Sequence, residues 1–253
     1  MQYLVTSAEM KEYDNRTIEE IGIPALVLME RAALALKDEI CKMEQAHPTK
    51  KEVLITTGSG NNGADGLALG RLLSREGYEV FIFECGALEK ATDSYKKQRD
   101  ILQFYRVKFL NGREDMKEEY DYVVDAVFGV GLSREVNEKY KDIILSLNQM
   151  KGVKVAVDVP SGIDATTGHV LGCGFMADVT ITFGFAKCGL YLYPGSEYAG
   201  RVITADIGID EAAFFGNEPK MFYFDEDIMK LLYNLVFDSP CFVPCLDLPP
   251  IFL

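Results

Sequence analysis

EVLITTGSGNNGADGLALGRLL, residues 52–73, joins an apolar run of strand length to a helix-like segment through a loop of glycine and asparagine. Val53 to Thr57 shows no polar alternation, the mark of a strand covered on both faces. Gly58, Gly60, Gly63 and Gly66 punctuate the loop, and leucines and small residues follow at helical spacing. Strand, glycine turn and helix in that order form the opening unit of a parallel α/β sheet. In such sheets ligands settle just beyond the strands' carboxyl ends, which is where this loop falls.

Outward from this unit the same alternation continues. YEVFIF (78–83), VKFL (107–110), YDYVVDAVF (120–128), VKVAVDV (153–159), DVTITF (178–183) and RVITADI (201–207) read as further strands, several separated by helical stretches. Ahead of them, Thr6 and Glu9 form a capping box for a helix that Gly22 ends. Pro24 suits the first turn of a second helix, with Leu28, Ala32, Leu36, Ile40 and Met43 along one side. The expected fold is α/β: a Rossmann-like three-layer αβα sandwich with a mostly parallel central sheet and two N-terminal helices.

Composition narrows the function classes. The 253 residues are 48% hydrophobic and carry a net charge of -13. That acidity argues against a nucleic-acid partner, whose phosphates are met by Lys and Arg. No apolar run approaches the ~20 residues that span a bilayer, and the N-terminus lacks a basic flank and an apolar core, so no membrane association and a cytoplasmic location are expected. The six cysteines (41, 85, 173, 188, 241, 245) form no CxxC pair and read as free thiols. Residues 233–253 bring four prolines and two cysteines among large apolar side chains without a steady period, and receive no assignment.

Three loops carry the chemistry. Gly58, Gly60 and Gly63 satisfy GxGxxG, and Glu84 ends the next strand, so a dinucleotide fingerprint with Glu84 on a ribose is a rival reading. Against it, Asp65 is expected in the helix's first turn, where its charge would compete with a pyrophosphate. Asp125 is followed by Gly129 and Gly131; Asp158 is followed by Pro160, Ser161 and Gly162. One aspartate after a strand is commonly a cap or turn former, but three acid-bearing glycine loops would line a common crevice. Their acids can be tolerated by binding a cation, by sharing a proton or by facing a proton-transfer substrate.

The motifs NNGADG (61–66), DAVFGVGLSR (125–134), VDVPSGID (157–164), TFGFAKCGLYLYPG (182–195) and GRVITADIGI (200–209) together resemble the YjeF N-terminal domain family, which includes the NAD(P)H-hydrate (NAD(P)HX) epimerases. The resemblance covers residues 1–215. It implies interconversion of the R and S forms of hydrated NADH or NADPH, for a separate dehydratase that accepts only S. It also implies substrate contacts at Asn61, Asn62, Gly63, Ala64, Asp65, Gly129, Val130, Gly131, Leu132, Ser133, Arg134, Glu135 and Asp158. Potassium ligands are implied at Asn62, Asp125 and Ser161, whose amide, carboxylate and hydroxyl oxygens suit a hard monovalent cation. A homodimer is implied as well. Residues 216–232 resemble a linker into a dehydratase domain of the kind many members carry, and that second activity is expected to be absent here.

One departure is Ala64, where the family usually has glycine. Its methyl group is nearly free if residue 64 is helical and costs on the order of 1 kcal/mol if the backbone needs positive φ; the helical case is expected. For the chemistry, Asp158 is the expected acid and base in loss and return of a hydroxyl at a carbon beside a ring nitrogen. Lys187 is a second substrate-orienting candidate, although a lone lysine after a strand is commonly solvated. Asp125 would be occupied by potassium, and Asp125→Asn is expected to leave the cation-free melting temperature unchanged or higher. The alternatives are a non-catalytic nucleotide-binding or protein-interaction module of the same fold and an NAD-dependent dehydrogenase; a hydrolase is disfavoured because no GxSxG elbow is present.

Overall fold

A computed structural model describes residues 2–224. The chain opens on a short strand, β1 (Gln2–Val5), before α1 (Ser7–Glu19) and α2 (Ala25–Ala46). It then runs through β2 (Glu52–Thr57), α3 (Asn61–Arg75), β3 (Glu79–Glu84), α4 (Asp93–Leu102), β4 (Val107–Phe109), β5 (Glu119–Ala126), α5 (Glu138–Gln149) and β6 (Lys151–Val157). The remaining elements are β7 (Val179–Phe183), β8 (Ala186–Lys187), α6 (Gly195–Ala199), β9 (Arg201–Ala205) and β10 (Met221–Tyr223).

All seven strands expected from apolar runs are present, and they form one parallel sheet in the order β4-β3-β2-β5-β6-β7-β9. The runs lack polar alternation because both faces are covered. Val53 and Ile55 of β2, with Val80 and Ile82 of β3, join Leu36, Leu67 and Leu102 of α2, α3 and α4. Leu54, Phe81 and Phe83 point the other way, onto Ile143, Ile144 and Leu147 of α5. Period two is kept except in β5, where a register shift between Glu119 and Tyr122 puts Tyr120 and Val123 on the α5 face together. Each fully buried aliphatic side chain of these layers stabilises the fold by about 1.5–3 kcal/mol.

The leading helices follow their signals. Thr6 Oγ1 accepts from Glu9 N at 3.2 Å and Glu9 Oε2 accepts from Thr6 N at 2.7 Å, so both halves of the capping box exist. Pro24 stands at the N-cap of α2, one residue earlier than its expected place in the first turn. Leu28, Ala32, Leu36 and Ile40 form the buried stripe of α2, with Met43 partly buried beside it.

A second, three-stranded sheet was not expected. β1 lies between β8, parallel, and β10, antiparallel. Local sequence signals have no means to show it, since four residues with partners near positions 186 and 222 carry no turn or period of their own. The unassigned segment 233–253 and residues 225–232 of the linker lie outside the described residues, as do Cys241 and Cys245. Cys41, Cys85, Cys173 and Cys188 are free thiols. Among the described residues no helix is long and apolar enough to cross a membrane.

Candidate active site

The strand order reverses between β2 and β5. From β2 the chain winds outward through β3 and β4, and from β5 it winds the other way through β6, β7 and β9. The loops after β2 and β5 diverge at that point and leave a crevice. They are held together by Gly58 N–H, which donates to Ala126 O at 3.0 Å. A Cβ on Gly58 would sit 2.1 Å from Val127 O, and one on Gly63 would sit 2.0 Å from Gly58 O. The glycine spacing therefore serves the packing of the loop upon itself and upon the end of β5.

α3 starts at Asn61 with Gly60 as N-cap, which has no capping side chain, and its first helical bond is Ala64 N to Gly60 O at 3.1 Å. The amides of the first turn are thus left for an anion in the crevice. Asp65 does not compete for them: it lies in the second turn, contrary to its expected place in the first. Ala64 is helical and 0% exposed, with its methyl group in the core shared by α2, α3 and α4 rather than at the mouth of the loop. Ala64→Gly is accordingly expected to lower stability by about 1–2 kcal/mol, through added backbone freedom and a lost methyl group, with catalytic rate within about twofold of the parent. A denaturant midpoint checks the first part and a rate assay the second.

Asp125, at the end of β5, is 0% exposed. Its Oδ1 accepts from Ser161 Oγ at 2.7 Å and Val127 N at 3.1 Å, and its Oδ2 accepts from Ser161 N at 2.7 Å. Burial pushes its pKa up to about 6 against the lowering effect of these three bonds. Ser161 Oγ also accepts from Phe128 N at 2.8 Å, tying the loop after β6 to the loop after β5. Asn62 closes the group from α3: its side chain backs onto Gly129, where a Cβ would lie 2.9 Å from Asn62 Oδ1, and its Nδ2 is buried without a hydrogen-bond partner.

Asp158 follows β6 in the left-handed conformation, φ 67°, which an aspartate tolerates better than most residues. Its Oδ1 accepts from Lys187 Nζ at 2.7 Å and from Thr182 Oγ1 at 3.1 Å. Lys187 is 1% exposed, so the solvated reading of this lysine is overturned. Its ammonium spends its other donors on Thr182 Oγ1 at 3.0 Å and Phe183 O at 2.8 Å. Asp65 of α3 and Asp14 of α1 share the field of this ion pair. Burial, then Asp158, then Asp14 hold the Asp65 carboxyl well above the usual carboxylate range. Burial and Asp158 raise Asp14, with Lys187 opposing.

Residues 25–189 match the family described as YjeF-related protein N-terminus. The chain belongs to this YjeF-related family. It is 43% identical over 204 residues to an NAD(P)H-hydrate epimerase of Limosilactobacillus reuteri, covering 80% of this chain and 94% of that one. An NAD(P)H-hydrate epimerase of Leuconostoc kimchii is 41% identical over 206 residues, 81% of this chain and 89% of its own length. Among solved structures, that of yeast ynu0 superposes with a TM-score of 0.70 at 26% identity, covering 88% of this chain and 97% of that one.

Within this YjeF-related chain the expected site residues fall into two neighbouring groups. Asn62, Asp125, Ser161 and Gly129 make one; Asp65 and Asp158 belong to the other, with Asn61, Gly63 and Ala64 in the first turn of α3 between them. Gly129, Val130 and Leu132 are half-buried, whereas Gly131, Ser133, Arg134 and Glu135 are exposed on the loop after β5. Glu84 is engaged already, accepting from Tyr95 Oη and Arg99 Nε at 2.8 Å each, which removes the ribose acceptor that the dinucleotide fingerprint requires. Asp14 and Thr182 were missed. Thr182 lies in an apolar strand run, and Asp14 lies on a polar helix whose inward face only tertiary packing reveals.

Proposed function

We propose that this chain interconverts the R and S forms of hydrated NADH and NADPH. The observation that carries the reading is the convergence at one switch point of an uncapped helix terminus, for a phosphate, and a buried carboxylate, Asp158, for proton transfer. The curated relatives named above support the same activity. In this reading the diphosphate part of the substrate meets the first-turn amides of α3 and Arg134, and the altered ring lies toward Asp158. Acid-assisted loss of the hydroxyl leaves a ring iminium, and water returns to either face. Asp158 moves the proton, and the acidic crevice favours the cationic intermediate. Lys187 orients Asp158 through its bond to Oδ1, in place of the substrate-orienting role expected of it.

Potassium at Asn62, Asp125 and Ser161 is part of the proposal. The donor set fits: its ligating atoms are oxygens only, Asp125 is a buried carboxylate with no cationic side chain bonded to it among the described residues, and Asn62 would ligate through Oδ1, since its Nδ2 is a donor. Among the described residues there is no group of three or more His, Cys, Asp or Glu of the kind a transition metal takes. Bound there, potassium would compensate the Asp125 charge and fix α3 to the loops after β5 and β6. We also propose a cytoplasmic homodimer, with exposed Ile21, Val27 and Leu34 at and before the outer face of α2 as contact residues, and a domain that spans residues 1–215 and works alongside a separate S-specific dehydratase.

The test is incubation with the R epimer, with and without an S-specific dehydratase. Full consumption of R when both proteins are present is the expected result. Accumulation of unreacted R at the uncatalysed rate would sink the epimerase reading and leave a binding module in its place.

A further inference from the structure

Asp158 is pinned to the end of β7 by its backbone and by one oxygen of its carboxylate. Its N–H donates to Ile181 O at 2.9 Å, and its Oδ1 accepts from Thr182 Oγ1 at 3.1 Å, from Phe183 N at 3.3 Å and from Lys187 Nζ at 2.7 Å. A carboxylate oxygen has two lone pairs, so three donors saturate Oδ1. Oδ2 is different. Among the described residues it accepts no hydrogen bond, yet it is not sealed in as the unpartnered Thr56 Oγ1 is, and the Asp158 side chain keeps 11% of its surface exposed.

The directions of these bonds follow from the groups themselves. An ammonium only donates, and the three N–H bonds of Lys187 go to Asp158 Oδ1, Thr182 Oγ1 and Phe183 O, at 2.7, 3.0 and 2.8 Å. None is left for Oδ2 or for a bound molecule. Thr182 Oγ1 therefore accepts from Lys187, and its one proton is committed to Asp158 Oδ1. Both side chains are buried, so water does not compete for either bond. The Thr182 hydroxyl has two effects: it adds a donor to Oδ1, and it occupies an N–H of Lys187 that would otherwise be free to turn to the second oxygen of the same carboxylate.

We propose that Thr182 is a positioning residue that makes Oδ2 the single reacting atom of Asp158, by holding Oδ1 and by keeping the Lys187 ammonium on that oxygen alone. This rests on the epimerase reading. The proton enters and leaves Asp158 at Oδ2. It passes to the hydroxyl as the carbon–oxygen bond breaks, while the ring-nitrogen lone pair forms the iminium and one water departs. A second water then adds to the carbon and returns a proton to Oδ2 as the carbon–nitrogen π pair goes back to nitrogen.

Thr182→Val keeps the branched shape and removes the hydroxyl. One N–H of Lys187 then turns to Oδ2, the oxygen that has to react. With rates measured below the melting temperature of the variant and corrected for the uncatalysed reaction, kcat is expected to fall by about 10–100-fold while KM holds within about twofold. Thr182→Ser restores the hydroxyl and should bring kcat back to within about threefold of the parent. A purely structural role would lower the melting temperature and leave kcat of the folded protein where it was. Parental kcat in Thr182→Val, a loss that Thr182→Ser does not recover, or a loss matched by a rise in KM overturns the proposal.

A second measurement needs only the parent protein. In a crystal structure with mixed R and S hydrated NADH bound, the hydroxyl oxygen on the altered ring carbon is expected within about 3 Å of Asp158 Oδ2. Contact with Oδ1, with Lys187 Nζ or with neither carboxylate oxygen overturns the proposal even if Thr182→Val fails to fold. A parent that does not speed epimerisation sinks the epimerase reading instead.

Discussion

Asp158→Asn is expected to slow epimerisation by about 10²–10⁴-fold, the span that a positioned acid–base group contributes. Asparagine is the right replacement because it adopts the left-handed conformation as readily as aspartate, so φ 67° need not change. Nucleotide binding at α3 should survive. The substitution also leaves the Lys187 ammonium without its counter-charge at a site 1% exposed, which is expected to cost up to about 3–5 kcal/mol of stability. The double variant Asp158→Asn/Lys187→Met separates the two effects: the melting temperature should recover and the rate should not. A single variant with near-parental rate would remove Asp158 from the chemistry.

Asp125→Asn should flatten the dependence of rate on potassium and lower the rate at saturating potassium by more than Ser161→Ala does, because only Asp125 supplies formal charge. The structure reverses the stability expected from sequence. Asp125 accepts three hydrogen bonds, from Ser161 N, Ser161 Oγ and Val127 N. Asparagine has one acceptor oxygen and turns an NH₂ toward at least one of those donors, leaving buried groups unpaired at about 1–3 kcal/mol. Relief of the buried charge offsets part of this, so the cation-free melting temperature should fall rather than hold or rise. Rates in potassium against lithium for parent and variant provide the measurement. An unaltered ion response in Asp125→Asn would withdraw the cation site and leave Asp125 as the pin between two loops.

The central sheet was legible because each strand is buried on both sides and says so in an uninterrupted apolar run. Asp125 and Asp158 were legible because a carboxylate between an apolar strand and a glycine turn stands out locally. What sequence hides is which charges meet. Lys187 looks like any lysine after a strand, and only the position of Asp158 and Thr182 makes it a buried ion-pair partner. Glu84 looks like a ribose acceptor until Arg99 and Tyr95, on the following helix, are seen to hold it. Asp14 reads as one polar residue in a capped helix, since its nearness to Asp158 and Lys187 is set by where α1 docks. β1 fails for the same reason: its partners are remote along the chain and its length is too short to announce a period.

The small sheet bears on the order in which the molecule is made. β1 is made before every strand of the central sheet, yet Val5 pairs with Lys187 and Leu4 with Met221. A nascent chain released only to the end of β7 carries Asp158 but neither the ammonium that bonds it nor the two strands that flank β1. The crevice therefore becomes electrostatically complete only once β8 has been made and has paired with β1.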